Sequence, residues 1–398
     1  MLIAGETSGD TLAAELVVAL RRELLARETI STRDSQPLRT GLEPRFFGAG
    51  GPRMKAAGVE LAFDLTQHSV IGISDVLKNY LKFRRLFHQL LELAIKRQPD
   101  VIIGIDYGGF NLRFGEAIRA HLRKQRSKFN NWNPKIVQFV SPQVWASRAG
   151  RAFVLERDYD LLLSIFPFEK GWYAKRVPKL RVEFVGHPMA DRFEKLQIPG
   201  SKSQAEERNI LLLPGSRRSE LNRHLPVMLD ALKEIQTKQP EVRGKMVLPN
   251  DQLAALARSL GAPANLEIQI GNLSQALSQA TVAIASTGTV TMECAFFDVP
   301  TVTLYKTSWT TYQIAKRIVT VKSLTMPNLL ADAEVFPEFI QNEATPENLS
   351  RAALELLQNP ARRAQIQKQL RQIIASLGGP GATTRAAKAI AGLLDRRG

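Results

Sequence analysis

Cysteine is nearly missing from this chain, with one residue, Cys294, in 398. A single thiol excludes an internal disulfide and any zinc site built from several cysteines, and it makes a reducing compartment the expected home. Long apolar runs are missing too. The longest, such as "LLLSIFPF", fall short of the ~20 residues that span a bilayer and suit buried strands instead. The chain opens "MLIAGETSGD" and reaches acids almost at once, so no charged-then-apolar leader is expected. The five histidines are scattered without metal-ligand spacing. No Walker A lysine pattern and no GxGxxG occurs, which weighs against ATPase and NAD chemistry. Acids are the minority charge: 38 Asp and Glu face 54 Lys and Arg, a formal net charge of +16. Such an excess favours nucleic acid, an anionic membrane surface or phosphorylated substrates. The basic residues are spread along the chain, and no zinc-finger spacing, aromatic RNP-type strand or long basic arm is found. Nucleic acid is therefore not an expected partner.

What is present is a strand-helix alternation in two blocks. The first holds LIAG (2–5), RFFGAG (45–50), VIIGID (101–106), KIVQFV (135–140), DLLLSIF (160–166) and VEFVG (182–186). A polar stretch without sustained periodicity follows and reads as a linker. The second block holds NILLLPG (209–215), KMVLPN (245–250), LEIQIG (266–271), TVAIAS (281–286) and TVTLYK (301–306). Alternation of this kind predicts an α/β protein with two doubly wound parallel sheets. Ligands bind such sheets at the carboxyl ends of the strands, so a cleft between two domains is expected. The predicted division is 1–188, a linker over 189–208, 209–365, and C-terminal helices over 366–398. The "SLGGPGA" break (376–382) lets the last helix cross back to the first domain or pack on a second copy.

Four stretches could carry chemistry. "VIIGIDYGGFN" ends an apolar strand on a carboxylate, Asp106, followed by two glycines. It reads either as a loop residue or helix cap, or as a catalytic acid or base at the mouth of a sheet. "AGETSGD" (4–10) joins the first strand to a helix. Ser8 or Asp10 could cap that helix, while the carboxylates of Glu6 and Asp10 suit sugar hydroxyls better than phosphate. "LLLPGSRRSEL" (211–221) presents the Gly215 and Ser216 amides at a helix start, with Arg217 and Arg218 beside them. Arginine's planar fork matches phosphate, so phosphate binding is the favoured reading over a solvated basic turn. In "ASTGTVTME" (285–293), Thr287, Gly288 and Thr289 offer amides and hydroxyls to a pyrophosphate. Glu293 lies about one helical turn on and could accept from ribose hydroxyls. The Asp-x-Asp of "RDYD" (157–160) lacks a second group of oxygen ligands, so no metal is expected there. His187, in "VGHPMAD", reads as a structural turn or a ligand contact.

The segment 75–97 places Leu77, Tyr80, Leu81, Phe83, Leu86 and Phe87 among Lys78, Lys82, Arg84 and Arg85. An amphipathic helix packed on its own sheet accounts for much of this face. Basic-plus-apolar helices also lie on anionic membranes, so Leu77, Tyr80, Leu81, Phe83, Arg84 and Phe87 are candidate membrane or acyl contacts.

Taken in series, "AGETSGD", "GAGGPRM", "IGISDVL", "IDYGGFN", "FVSPQVWASR", "FPFEK", "FVGHPMAD", "LLPGSR", "TGTVTME" and "MPNLLA" resemble the lipid-A-disaccharide synthase family of Gram-negative bacteria. The series covers nearly the whole chain in family order. The resemblance implies a GT-B glycosyltransferase with two Rossmann-like domains. It implies UDP-2,3-diacylglucosamine as donor and 2,3-diacylglucosamine 1-phosphate as acceptor, joined β-1,6 with release of UDP. No metal and no cofactor is implied, since the UDP-sugar is a substrate. The implied location is cytoplasmic, peripheral at the inner face of the inner membrane, and a homodimer with swapped C-terminal helices is allowed. Asp106 matches the family's general base. Glu6, Ser8, Asp10 and Asn111 would belong to the acceptor side, and Asn328 to the donor or its phosphate. Two departures stand out. The family's I-D-x-P-D-F-N has Gly108 and Gly109 here in place of proline and a second acid, and Ser147 stands where tryptophan is frequent. The first strand is also shorter than is usual in the family. Rival readings are another GT-B UDP-sugar transferase or epimerase, and a non-catalytic lipid- or nucleic-acid-binding relative.

Overall fold

The computed structural model describes residues 1–31, 43–68, 73–125, 131–194 and 208–394, with backbone alone over 28–31 and 73–80. The chain forms two compact units, Met1–Glu194 with Leu377–Gly398, and Lys195–Ser376.

The first unit is built on seven parallel strands: β1 (Leu2–Ala4), β2 (Phe47–Gly50), β3 (Glu60–Asp64), β4 (Val101–Ile105), β5 (Lys135–Phe139), β6 (Leu161–Ser164) and β7 (Val182–Phe184). Their order is β3-β2-β1-β4-β5-β6-β7. The inner strands β1, β4 and β6 are buried along their whole length, as continuous apolar runs covered on both faces should be. Register aligns their ends: Ala4 pairs with Ile105, and Ile105 with Phe139. The residues that follow, Gly5, Asp106 and Val140, therefore leave the sheet at one edge. Strand order also reverses between β1 and β4, the switch point where α/β sheets open a crevice.

The second unit has six parallel strands: β8 (Asn209–Leu213), β9 (Arg243–Leu248), β10 (Glu267–Ile270), β11 (Val282–Ser286), β12 (Thr301–Tyr305) and β13 (Glu338–Ile340). Their order is β10-β9-β8-β11-β12-β13. Leu213 pairs with Ala285 and Ser286 with Leu304, so the turns after β8, β11 and β12 also share one edge.

Two strands escaped the sequence reading, β3 and β13. Both are edge strands with half-exposed side chains, so neither carries the apolar run that marks an inner strand. The stretch read as a linker opens as a helix, Met189–Glu194, and its residues 195–207 lie outside those described.

The helix Pro360–Ser376 belongs to the second unit, and the chain re-enters the first at Leu377. There the helix Ala382–Ala391 packs on the helix Thr7–Ser31 through buried Ala386, Ala387 and Ile390. The "VGHPMAD" motif holds this return. Arg385 donates to the Val185 carbonyl at 2.7 Å, and the Leu377 carbonyl accepts from the His187 amide at 3.0 Å. The Asp191 carboxylate takes the amides of Gly381, Ala382 and Thr383 at the helix start. His187 is thus a structural turn: its Nδ1 accepts from the Met189 amide at 3.2 Å, and burial holds its pKa down at about 4.

Candidate active site

Asp106 and Tyr107 follow β4 with φ of 48° and 45°, and Val140 follows β5 with φ of 66°. All three lie in the left-handed region, which is costly for residues with a Cβ and most of all for a β-branched one. Side chains from two elements hold this turn. Asn111 Nδ2 and Gln138 Nε2 each donate to the Asp106 carbonyl at 2.8 Å, and Gln138 Nε2 also reaches the Val140 carbonyl at 3.2 Å. Space for the two amides comes from Gly104, where a Cβ would lie 2.7 Å from Gln138 Oε1 and 2.8 Å from Asn111 Cγ. Their other polar atoms, Asn111 Oδ1 and Gln138 Oε1, are buried without a donor. Asn111 was expected on the acceptor side. It is buried, and its amide engages the Asp106 backbone, so the structure makes it a support of the turn.

The Asp106 carboxyl is half-buried. Burial raises its pKa above the ordinary carboxylate value, partly offset by the Tyr107 amide. Among the described residues no cation pairs with it. A carboxylate so placed keeps its basicity and can take a proton from a bound hydroxyl.

The first strand's turn lies against this acid. A Cβ on Gly9 would sit 3.9 Å from Asp106 Cβ, and one on Gly5 would enter the Tyr107 ring. Glu6 lies close enough for its charge to raise the Tyr107 hydroxyl pKa, after burial. Ser8 is exposed at the start of the helix Thr7–Ser31. Asp10 departs from its expected place. Its buried carboxylate accepts the amides of Gly51, Arg53 and Met54 at 2.8, 3.0 and 3.0 Å, and so anchors the start of the helix Pro52–Ala56. A carboxylate holding three amides is a brace between two turns, not a sugar contact.

Gly108 packs against the turn after β5, where a Cβ would come within 2.8 Å of Pro142. A Cβ on Gly109 would meet nothing within 4 Å. The position of the family's second acid is therefore open, whereas that of its proline is filled by Pro142. Behind the turn stands Glu169, which the sequence reading passed over. It is wholly buried, accepts from Trp145 Nε1 at 3.0 Å and from the Phe166 amide at 3.3 Å, and burial raises its pKa to about 7. Sequence offered one signal, an acid inside the otherwise aromatic "FPFEK".

Phe87 stacks edge-on to Phe110 and Phe114 at 5.3 and 5.7 Å, half-buried against this unit's core. Leu81 is 75% exposed, Arg84 exposed and Phe83 half-buried on the helix Ile73–Arg97. The side chains of Leu77 and Tyr80 lie outside the described residues. Asp158 and Asp160 are ion-paired with Arg157 and Arg119, each at 2.6 Å.

In the second unit, Gly215 turns the chain after β8 with φ of 122°. The amides of Ser216 and Arg217 donate to Glu220 Oε2 at 2.9 and 3.2 Å, and the Arg217 guanidinium reaches Glu220 Oε1 at 3.0 Å. The helix start expected to take a phosphate holds the protein's own carboxylate in this structure. His224, also unforeseen, ties the turn down. Its Nδ1 donates to the Pro214 carbonyl at 2.9 Å and its Nε2 accepts from the Lys306 amide at 3.0 Å, which fixes a neutral tautomer. Burial lowers its pKa accordingly.

After β11, Gly288 has φ of 133° and opens the helix Thr289–Phe296, with Thr289 exposed and Glu293 half-buried one turn on. The Thr287 amide bonds to the Leu304 carbonyl at 3.2 Å and is not available to a ligand. A Cβ on Gly288 would meet nothing within 4 Å. Asn328, expected at the donor or its phosphate, is buried like Asn111. Its Oδ1 accepts from Val335 and Phe336 at 2.9 and 2.8 Å, and its Nδ2 donates to the Phe336 carbonyl and to Glu338 at 2.8 Å. Two donors and two lone pairs are all a side-chain amide has, so none is left for a phosphate.

Comparison with known proteins bears on these sites. A family profile described as lipid-A-disaccharide synthetase matches residues 1–392. A lipid-A-disaccharide synthase of Trichlorobacter lovleyi is 34% identical, with 100% of this chain and 97% of the relative covered. One of Myxococcus xanthus is 32% identical over 99% and 97%. Among solved structures, a calicheamicin glycosyltransferase aligns with a TM-score of 0.55 at 15% identity, covering 99% and 97%. An S. aureus protein in a UDP co-structure aligns with a TM-score of 0.63 at 14% identity, covering 99% and 96%. At these identities the structural likeness shows the fold alone, two parallel-sheet α/β domains of the GT-B kind.

Proposed function

The chain belongs to the lipid-A-disaccharide synthase family, and from that premise we propose that it transfers the sugar of UDP-2,3-diacylglucosamine to 2,3-diacylglucosamine 1-phosphate, forming a β-1,6-linked disaccharide and UDP. The observation that carries this reading is the family match over residues 1–392, with Asp106 at the carboxyl end of an inner strand of the first sheet.

The acceptor's 6-hydroxyl is a poor nucleophile until it gives up a proton. Asp106 takes that proton as the oxygen attacks the anomeric carbon, and its raised pKa suits a base. Direct displacement with one base inverts the α-linked donor to a β product. Glu6 and Ser8, on the neighbouring turn, offer hydrogen bonds to the acceptor's sugar. In the second unit, Arg217 and the amides that open the helix Thr289–Phe296 face the charge that gathers on the departing UDP, and Glu293 accepts from its ribose. Asp10, Asn111 and Asn328 act indirectly by holding the turns that carry these groups.

No helix among the described residues is long and apolar enough to cross a membrane. The exposed Leu81 and Arg84, beside Phe83 on a +16 chain, support a peripheral position on the anionic cytoplasmic face of the inner membrane. Liposome binding unchanged by Leu81→Asp with Phe83→Asp would remove that part of the reading. The reaction itself is tested by incubating the folded protein with both diacyl sugars and following UDP and disaccharide by mass spectrometry. Absence of both products overturns it.

A further inference from the structure

Arginine in the first unit is of two kinds. Arg119 and Arg157, on two helices that pack together, are fully engaged: Arg119 with Asp160 at 2.6 Å, Arg157 with Glu116 at 2.7 Å and Asp158 at 2.6 Å. Three others draw together without any acid. Arg113 lies on the helix Gly108–Lys124, which starts two residues after Asp106. Arg148 ends the short helix Val144–Ser147, and Arg151 immediately precedes the helix Ala152–Asp158. Arg113 and Arg148 are exposed and Arg151 is half-buried, and none of the three guanidiniums has a carboxylate or carbonyl partner among the described residues. They are near enough to act on one another. Burial first, then the charges of Arg148 and Arg113, hold the Arg151 guanidinium below its ordinary pKa.

Like charges near one another repel, yet these three stand on segments that follow β4 and β5 with no acid beside them among the described residues, while Arg119 and Arg157 have acids to pair with. The cluster is missing an anion. Its place in the fold narrows which one. Arg113 stands about 8 Å along its helix from the Gly108 end, at a rise of ~1.5 Å per residue. Arg148 and Arg151 follow β5, whose turn packs on Gly108 through Pro142. All three thus belong to the segments that leave β4 and β5 at the edge where Asp106 emerges. In a hexopyranose, the 6-hydroxyl and an anomeric phosphate lie on either side of the ring oxygen, so a sugar that offers its 6-hydroxyl to Asp106 carries its phosphate one ring-width away. Three planar guanidiniums suit a dianionic monoester, which has three equivalent oxygens to receive them.

We propose that Arg113, Arg148 and Arg151 form the subsite for the acceptor's phosphate monoester; the proposal rests on the transferase reading for the identity of that acceptor. Through the subsite the protein selects a phosphorylated sugar and fixes which hydroxyl faces Asp106.

The test measures binding and turnover separately, with 2,3-diacylglucosamine 1-phosphate and the same lipid lacking its phosphate, both in neutral-detergent micelles. Arg113→Ala and Arg148→Ala each weaken binding of the phosphorylated lipid about tenfold or more, as loss of a charged hydrogen bond does. Binding of the dephosphorylated lipid stays as it was, and Arg148→Lys falls between wild type and Arg148→Ala. Equal losses for both lipids, or none for either, overturn the proposal. So does an effect confined to phosphatidylglycerol vesicles, which would make the cluster a membrane contact. If wild type binds with the expected selectivity but forms no disaccharide, the subsite stands and the transferase reading falls. If wild type and variants form disaccharide with the same acceptor KM, the subsite falls and the transferase reading stands.

Discussion

The turn after β4 and the turns after β8 and β11 perform one topological task by opposite means. In the turns after β8 and β11, positive φ falls on Gly215 and Gly288, residues that adopt it without strain. The acid in that region, Glu220, is satisfied by two amides and an arginine. In the first unit, positive φ falls on Asp106, Tyr107 and Val140, each at a cost of order ~1 kcal/mol or more. Among the described residues, two buried amide oxygens beside them lack donors, and the acid at the centre has no cation. A relaxed glycine turn lets backbone approach a ligand. A strained turn braced by side chains holds one carboxylate in one orientation. Under the proposed reaction, the contrast separates turns that would bind from a turn that would react, with Asp106 on the second kind.

The sharpest break of that contrast is Asp106→Asn. It keeps the shape and removes the base, so kcat falls by about 10²- to 10⁴-fold. Thermal stability holds or rises, because a half-buried carboxyl with a raised pKa has been replaced by a neutral amide. A variant that unfolds while losing activity would make Asp106 structural. Next in size is Gln138→Leu, which removes one of the two amides on the Asp106 carbonyl together with a buried acceptor that has no donor. Melting temperature changes little, whereas kcat drops about tenfold as the turn loosens, with the KM of the UDP-sugar unchanged. A melting temperature that falls in step with kcat would mean that the turn is ordinary scaffold.

How much of this was legible in the sequence follows from the same contrast. Inner strands such as Val101–Ile105 announce themselves because both faces are covered; β3 and β13, at the edges, do not. Asp106 was visible as an acid ending an apolar run, and Gly215 and Gly288 as turn glycines. Asn111, Asp10 and Asn328 were visible as polar residues in motifs, but sequence cannot say whether a polar side chain faces a ligand or a neighbouring backbone. All three face backbone. Glu169, His224 and the arginine cluster depend on contacts between segments distant in sequence, which no spacing rule reports. His224, on the helix that follows β8, meets Lys306, just after β12, only because β8 and β12 flank β11.

Glu220→Gln sharpens the second half of the comparison. The native carboxylate holds the Ser216 and Arg217 amides and the Arg217 fork, the groups that a nucleotide phosphate would need. Neutralising it weakens that grip and removes a negative charge from the anion's place. UDP then binds several-fold more tightly in calorimetric titration, while stability falls by about 1 kcal/mol for the weakened helix start. Looser UDP binding would show instead that Glu220 aims Arg217 at the nucleotide.

The smallest effect concerns Glu169, a buried acid of the first unit that no cation pairs with among the described residues. Trp145, Ser141 and the Phe166 amide face it, with Tyr173 its titratable neighbour among the described residues, and burial sets its folded pKa at about 7 against an ordinary 4.5. Between those values the folded chain keeps a proton that the unfolded chain releases. The resulting stability is complete below about pH 4.5 and is lost as pH rises to about 7. His187 and His224, whose pKa values burial lowers, act with the opposite sign, gaining stability as pH rises towards 6.5. Only a difference between variants isolates Glu169. Glu169→Gln preserves an acceptor for Trp145 and cannot titrate. Its melting temperature relative to wild type therefore climbs between pH 5 and pH 7 and levels off above. The pH dependence of kcat shifts less, since Glu169 reaches Asp106 only through Trp145 and the turn that carries Pro142. A difference in melting temperature that stays flat across this range would show that Glu169 is ionised throughout, and that the strained turn has a buried charge behind it as well as one at its centre.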